Sequence, residues 1–575
     1  MFKLPTTKYS AKSLGLTAFV VLLGVGIGIK VAIAMATFTP ANQPTGYVAA
    51  DEMTSYDLRS GNEVLFRGQY EKEFWSGNLI AYAVNSNGDI GMATQPWNAQ
   101  QQLDLMTSRI IITRKDDGTS IPFAWANLSA AQKGLIDSAN AGNASSNILD
   151  FLRGVRSQEI QQGGTLRHRN SALGDIMHSR PYYVKDGGAS PTVFVGANDG
   201  MLHAFNALTG DERWAYVPSM LIPKLKALAS TSYAHDYYVD GSMAISTLAD
   251  GTRLLTGALG GGGKGLYALD ITGTRIAPAS ESGAASNILW EITPTTINSA
   301  TSSSYANMGY TYANPSLVTV SVSGTSTDAV LVGNGYGNTG DSQAYLYVIN
   351  AKTGALISAI KAGTSGTSTS PNGLSTPVGV DTDGDGNVDT VYAGDVNGTM
   401  WKFSLGNLTA PTATALLVTS PAQPITMTPG VASHPNGGVM VNFATGAMLL
   451  PTDATDASTF YAYGVWDGAP VANTALLAQT ITERCYTPGT TAAATPCANR
   501  VRTVTSNQPN WTSGASNHKG WRVPLPAGGK VVGDGSFIEN GRFYFTETNP
   551  TISNTVQAST VMGENWLMEL DYLTG

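Results

Sequence analysis

Short β-branched runs that end in glycine recur from about residue 190, each followed by a polar turn and a second run carrying aromatics. Val193-Phe194-Val195-Gly196 leads through Asn198-Asp199-Gly200 into Leu202-His203-Ala204-Phe205-Asn206, and Thr209-Gly210 closes the unit. Leu254–Gly257 leads into Leu266–Asp270 and closes on Thr272-Gly273; Val330–Gly333 leads into Tyr345–Asn350 and closes on Thr353-Gly354. Val391–Gly394 turns through Asp395-Val396-Asn397-Gly398 into Met400–Phe403, and the chain ends on Trp566–Asp571 with Thr574-Gly575. This pattern predicts antiparallel hairpins. A hairpin cannot bury both of its faces alone, and radial stacking into a β-propeller solves that while leaving only short edges. The closing turns at 210, 273 and 354 are 63 and 81 residues apart. Compact blades repeat every ~40–50 residues, so these blades carry insertions, with 299–304 and 363–370 as candidates.

Ahead of this array, residues 37–165 are mixed. Leu79–Val84 before Asn85-Ser86-Asn87-Gly88 predicts a further strand, expected to join the ring beside the C-terminal strand and close it. Ser129–Leu135 and Asn147–Arg153 predict short helices, with Ser129 as an N-cap. The division expected is thus a leader at 1–36, this mixed segment at 37–165, and the propeller at 166–575.

Lys3, Lys8 and Lys12 precede an apolar stretch from Leu14 to Ile29, and Ala34-Met35-Ala36 supplies a small-x-small cleavage site. This has the form of an export signal. Lys30 cuts the apolar run short of the roughly 20 residues a spanning helix needs, which favours cleavage over an uncleaved anchor. The chain has 575 residues, 13% of them charged, with 33 basic and 41 acidic. Losing 1–36 removes four lysines and no acids, so 29 basic residues would face 41 acidic ones, a net charge of −12. No basic stripe exists, which argues against nucleic acid and against an anionic lipid surface as partners. The two cysteines, Cys485 and Cys497, flank a Thr/Ala/Pro-rich loop. In an oxidising compartment a disulfide is expected, since neither CxxC spacing nor a nearby histidine suggests redox or metal chemistry.

The most specific chemistry lies at Asp381-Thr382-Asp383-Gly384-Asp385-Gly386-Asn387-Val388-Asp389. Carboxylates at positions 1, 3, 5 and 9, a glycine at 6 and the Asn387 carbonyl at 7 match a calcium loop. A plain Asp/Gly turn is the alternative. Position 12 is Tyr392 where an EF-hand has its bidentate glutamate, and the flanks 377–380 and 390–392 predict strands. The missing ligand must come from water, from Asp395 or from another residue. Losing the glutamate implies weak binding, near the extracellular range of about 10⁻⁴–10⁻³ M.

Catalytic motifs are lacking. The six histidines show no HExxH or zinc spacing, and no GxSxG elbow occurs. Gly260–Gly265 departs from the Walker spacing and predicts a tight turn. His203 and His235 are expected as hydrogen-bonding groups. Ala204-Phe-Asn-Ala-Leu-Thr209-Gly210-Asp-Glu-Arg-Trp214 resembles the Trp-docking repeat of quinoprotein dehydrogenases, but one blade alone matches it fully and the adjacent-cysteine pair of that family is missing. A quinoprotein-type dehydrogenase and an outer-membrane assembly scaffold therefore stand as the alternatives to a binding protein without enzymatic activity.

Longer strings set the direction. Leu173–Pro181 runs into Val193–Gly210, followed by His235–Ser242, Gly257–Asp270 and Gly309–Ser316, then by the calcium loop with Tyr392-Ala393-Gly394-Asp395. In this order they resemble the C-terminal propeller of the type IV pilus tip-associated adhesin and biogenesis family (PilY/PilC). The resemblance implies an all-β, modified seven-bladed propeller with quinoprotein-like blades. It implies a protein exported to the periplasm, outer membrane or pilus tip, with minor pilins and a host or abiotic surface ligand as partners. It further implies roles in pilus assembly and adhesion, and calcium control of extension, retraction and twitching. The family's calcium ligands fall on Asp381, Asp383, Asp385, the Asn387 carbonyl and Asp389. No DxSxS site of a von Willebrand A-like domain and no Arg-Gly-Asp occurs.

Overall fold

The computed structural model describes residues 51–54, 63–91, 95–185, 191–296, 305–467, 476–485, 500–511, 517–533, 535–550 and 564–575. The export signal, the insertion at 299–304 and Cys497, and with it the Cys485–Cys497 pairing, lie outside the described residues. The chain forms two compact units. The first runs to Asp240 and takes in Gly273–Ser286; the second comprises Gly241–Thr272 and Asn287–Gly575.

Among the described residues, seven sheets of four to six strands and one two-stranded ribbon carry the fold. In the first unit, the first sheet orders Asp51–Met53, Glu63–Glu71, Ser76–Val84 and Trp97–Asn98. The second orders Ser120–Pro122, Ile111–Arg114, Glu212–Tyr216, Met201–Asn206, Thr192–Ala197 and Tyr182–Val184. The other sheets belong to the second unit. The third is Met243–Thr247, Arg253–Ala258, Leu266–Asp270 and Ile288–Ile292; the fourth is Ser316–Val322, Thr325–Gly333, Tyr345–Asn350 and Leu356–Lys361. The fifth is Val378–Val380, Thr390–Gly394, Thr399–Ser404 and Thr412–Val418. The sixth is Gly430–Ser433, Val439–Ala444, Tyr461–Trp466, Gly520–Pro524 and Leu476–Ala478. The seventh is centred on Arg542–Asn549, which pairs with Lys530–Val531, Phe537–Glu539 and Glu564–Asp571. Ile481–Cys485 and Arg500–Val504 make the ribbon.

All four hairpins predicted from the glycine-ended runs are present in antiparallel register. The glycine-ended runs Val193–Gly196, Leu254–Gly257, Val330–Gly333 and Val391–Gly394 are buried at every position. Each is covered on both faces, which is why the sequence there reads as a continuous apolar run without alternation. Successive sheets within a unit share their cores. Phe66 and Leu79 of the first sheet meet Val193, Val195 and Phe205 of the second. Leu254 and Leu266 of the third meet Val330 and Tyr347 of the fourth. The result is an all-β, propeller-like arrangement of face-packed sheets.

Two expectations need correction. The strand Ser76–Val84, which contains Leu79–Val84, pairs with Glu63–Glu71 and Trp97–Asn98, whereas the C-terminal strand pairs with Arg542–Asn549. A hairpin partner across a four-residue turn takes one edge and Trp97–Asn98 pairs on the other, so its edges are met locally. The position 165/166 does not separate two sheets either, because Ile111–Arg114 lies parallel to Glu212–Tyr216 in the second sheet. The two predicted helices form at Ala130–Asp137 and Asn147–Leu152. Ser129 caps the first through a capping box: its Oγ accepts from Gln132 N at 3.1 Å, and its N–H donates to Gln132 Oε1 at 3.1 Å. Ser129→Ala is expected to lower stability by about 1 kcal/mol, measured as a shift of the urea midpoint.

The closing Thr-Gly turns are seats for tryptophans. Trp97, at the end of the first sheet, donates from Nε1 to the Ala207 carbonyl of the second at 2.9 Å. Trp290 in the third sheet donates to Ala351 beside the fourth at 2.9 Å, and Trp521 in the sixth donates to Tyr572 beside the seventh at 3.1 Å. Each carbonyl lies three residues before the glycine, and each indole rests on it. A Cβ added at Gly210, Gly354 or Gly575 would come within 2.8 Å of the ring. Trp214 follows the scheme in part, donating to Ile276 at 3.1 Å, while Gly273 meets no ring. The sequence motif pairs Trp214 with its own Thr209-Gly210; the structure seats Trp97 there instead. The docking partner comes from the preceding sheet, so linear spacing hides most of the repeats.

Candidate metal centre

The aspartate loop leaves the first strand of the fifth sheet, Val378–Val380, and re-enters at Thr390–Gly394. Both flanks are strands, as their sequence predicts. The loop is tied at its base: Asp389 N donates to Val380 O at 3.2 Å, Leu405 N to Asp389 O at 2.7 Å, and Val388 N to Thr319 O of the fourth sheet at 2.7 Å. Gly384 and Gly386 adopt φ of +81° and +89°, the left-handed region that glycine occupies without strain.

Those turns fold the carboxylates inward. Gly384 N and Gly386 N donate to the two oxygens of Asp381 at 2.6 and 2.8 Å, and Asp385 N donates to Asp383 Oδ1 at 3.2 Å. The Gly386 N–H, helped by that of Gly384, holds the Asp381 carboxyl below the usual carboxylate range. Asp381, Asp383 and Asp385 can each offer an oxygen, and the three oxygens lie within 4.8 Å of one another. Three like charges so close repel unless a cation neutralises them.

The other two predicted ligands are placed differently. Asn387 is 8% exposed; its Nδ2 donates to Asp385 Oδ1 at 3.1 Å, while its Oδ1 is buried with no donor. An orphaned oxygen beside converging carboxylates suits a hard cation, so the residues present fit calcium. Asp389 stands apart from the trio, its carboxylate accepting from Thr382 N at 3.0 Å and from Thr382 Oγ1 at 2.7 Å. The sequence pattern did not reveal this Thr382 latch.

Asp395, one of the sources open for the missing ligand, is excluded by its surroundings. It is fully buried, with Oδ1 accepting from Asn397 N and Thr399 N at 3.0 and 2.8 Å. Its Oδ2 accepts from Asn372 Nδ2 and Trp401 Nε1, both at 2.8 Å. Burial raises this carboxyl's pKa despite the four donors. Tyr392, at the twelfth position, is buried too, and its hydroxyl donates to Asp467 Oδ2 at 2.7 Å. Lys402 Nζ reaches the same oxygen at 2.9 Å.

The other sequence features take structural parts. Gly260–Gly262 is a 3₁₀ turn, and Lys264 Nζ donates to Gly337 O at 2.7 Å. His203 and His235 are hydrogen-bonding groups, His203 between Glu212 and Asp199 and His235 against Asp175. Among the described residues no helix is long and apolar enough to cross a membrane.

The family profile of the PilY1 β-propeller domain matches residues 179–414, a stretch that contains the loop. The chain is 31% identical to the type IV pilus biogenesis factor PilY1 of Pseudomonas aeruginosa strain UCBPP-PA14, over 82% of this chain and 46% of that protein. It is 35% identical to a PilY1 homolog of Xylella fastidiosa, over 70% of this chain and 32% of the homolog. It thus spans less than half the length of these curated relatives. Among solved structures, the PilY1 C-terminal domain of P. aeruginosa superposes with a TM-score of 0.53 at 27% identity, covering 68% of this chain and 80% of that one.

Proposed function

The chain belongs to the PilY1 family, and from that premise we propose that it is a type IV pilus biogenesis and adhesion factor regulated by calcium. The observation that carries the reading is the convergence of Asp381, Asp383 and Asp385 on a strand-flanked loop inside the matched propeller stretch. In this reading the seven sheets are the blades of a modified seven-bladed propeller. The protein is exported and acts at the periplasm, outer membrane or pilus tip with minor pilins, and it catalyses no reaction.

Calcium would supply charge neutralisation and a fixed set of oxygen contacts. The protein's own part is to hold those oxygens. Gly384 and Gly386 orient Asp381, the strand pair fixes the loop ends, and Asn387 brings its carbonyl and orphaned Oδ1. The Thr382 hydroxyl and N–H hold the Asp389 carboxylate in a fixed position at the end of the loop. The ordered loop then presents a surface that depends on calcium level, which suits control of pilus extension against retraction in twitching motility.

Asp389→Ala is expected to weaken calcium binding about tenfold or more, ~1.4 kcal/mol. It should lower the number of displayed pili and leave the far-ultraviolet circular dichroism unchanged. Isothermal titration of the purified chain with calcium, together with pilus counts in a complemented strain, measures this. An unchanged titration would sink the calcium assignment. Recovery of outer-membrane assembly proteins instead of minor pilins in a periplasmic pull-down would sink the pilus role.

A further inference from the structure

Two arginines line a small cavity in the first unit, and only one of them has its charge met. The cavity, of about 10 Å³, has room for one water-sized atom. Trp75, Leu173 and Leu228 wall it, and Arg167, Arg169 and Asp199 bring charge to it. Arg169 is saturated: Nε donates to Glu159 Oε1 at 2.9 Å, Nη1 to Phe151 O at 3.0 Å and Nη2 to Val155 O at 3.3 Å. Asp199 is occupied as well, accepting from Gly174 N at 3.0 Å, Met201 N at 3.1 Å and His203 Nε2 at 3.1 Å. Arg167 differs. Its Nη1 lies 3.4 Å from the Phe74 carbonyl, its Cζ lies 4.3 Å from the centre of the Tyr233 ring, and its Nε is buried without an acceptor. Among the described residues, no carboxylate meets it at ion-pair distance. The acids that act on it from further off are committed, Asp175 to His235 and Asn198, and Glu159 to Arg169. A guanidinium drawn out of water without an anion in contact is costly. Trp75 is strained besides. Its φ of +52° lies in the left-handed region that bulky residues avoid, and its ring is stacked on His235 at 3.8 Å.

We propose that this cavity binds one compact monovalent anion, paired with the Arg167 guanidinium and walled by Trp75, Leu173 and Leu228. An anion answers the one charge among the lining residues that lacks a contact, and apolar walls strengthen the attraction by excluding water. The size admits a chloride ion or one oxygen of a small carboxylate and turns away bulky anions. Bound there, the anion would tie the hairpin end at Trp75 to the stretch that carries Arg167. The site lies in the first unit, whereas the aspartate loop belongs to the second, so it needs no calcium.

The ³⁵Cl resonance of sodium chloride tests this, because an ion exchanging with a protein site broadens the line. The purified chain should add linewidth over protein-free buffer, with a dissociation constant of about 10⁻³ M or weaker for so few ligand atoms. Sodium formate should remove the added width and the bulky sodium gluconate should not. Formate acting at lower concentration than chloride marks a carboxylate as the preferred ligand; the reverse order marks a halide. Arg167→Gln, with its fold checked by circular dichroism, should lose the added width. Diffraction from wild-type crystals in bromide locates the ion without any substitution, and an anomalous peak beside Arg167 is expected even if that variant does not fold. No added width in the wild-type chain, added width that folded Arg167→Gln retains, or bromide at other places only would overturn the site.

Discussion

Glu212→Gln is expected to destabilise the first unit by about 3–5 kcal/mol, because it breaks a buried ion cluster from one side. Glu212 is fully enclosed, and the Arg109 fork grips it with Nε to Oε2 at 2.6 Å and Nη2 to Oε1 at 2.7 Å. His203 Nδ1 lies 2.7 Å from the same Oε1, and its Nε2 lies 3.1 Å from Asp199 Oδ2. With a carboxylate at each ring nitrogen, the imidazole is bound as the doubly protonated cation. Burial opposes that charge, but Asp199 and Glu212 outweigh it and push His203 up to about 9. Burial likewise opposes the Glu212 charge, yet Arg109 and His203 pull it down to about 2.

The pH dependence follows from these shifts. The His203 contribution is full below its unfolded pKa of about 6.5 and is lost as pH rises through about 9. The Glu212 contribution is full above about 4.5 and is lost as pH falls through about 2. Urea midpoints taken at pH 6, 8 and 10 should fall at the alkaline end in the wild type, and by much less in Glu212→Gln. Equal midpoints at pH 6 and 10 in the wild type would show that the cluster does not hold His203 protonated.

Trp290→Ala should have a comparable effect on the second unit, about 3–5 kcal/mol. The indole is 4% exposed and belongs to the core shared by the third and fourth sheets. Truncation leaves a cavity there and removes the donor to the Ala351 carbonyl. Gly354→Ala approaches the same contact from the other side. Gly354 has φ of +70°, and an added Cβ would lie 2.7 Å from Trp290 Cγ. Strain and overpacking together should cost about 1–3 kcal/mol. Chemical denaturation of both single variants and the double variant checks this, and non-additive losses are expected because the two residues touch. Full additivity would mean that the turn and the indole are not one device.

The hairpins could be read from the chain because both strands and their turn are close in sequence, and because inner strands must be apolar when both faces are covered. Val330–Gly333 with Tyr345–Asn350 shows this, and so does the Ser129 cap, whose partner Gln132 is three residues away. The aspartate loop was legible for the same reason, since Asp381, Asp383 and Asp385 converge through local turns at Gly384 and Gly386. What spacing could not give were choices made between distant segments. Trp97 sits on the turn at Gly210, Ile111–Arg114 lies beside Glu212–Tyr216, and Arg109 joins Glu212 and His203 in one cluster. Downstream of the loop in sequence, Asp395 and Tyr392 carry oxygens that a linear reading leaves available. Packing buries both and supplies them with other partners, because a buried polar group must be satisfied wherever the fold places its neighbours. The hairpins and the aspartate loop are thus local properties of this sequence. Which indole locks which turn, and which partners Asp395 and Tyr392 take, follow from contacts that exist only once the sheets are stacked.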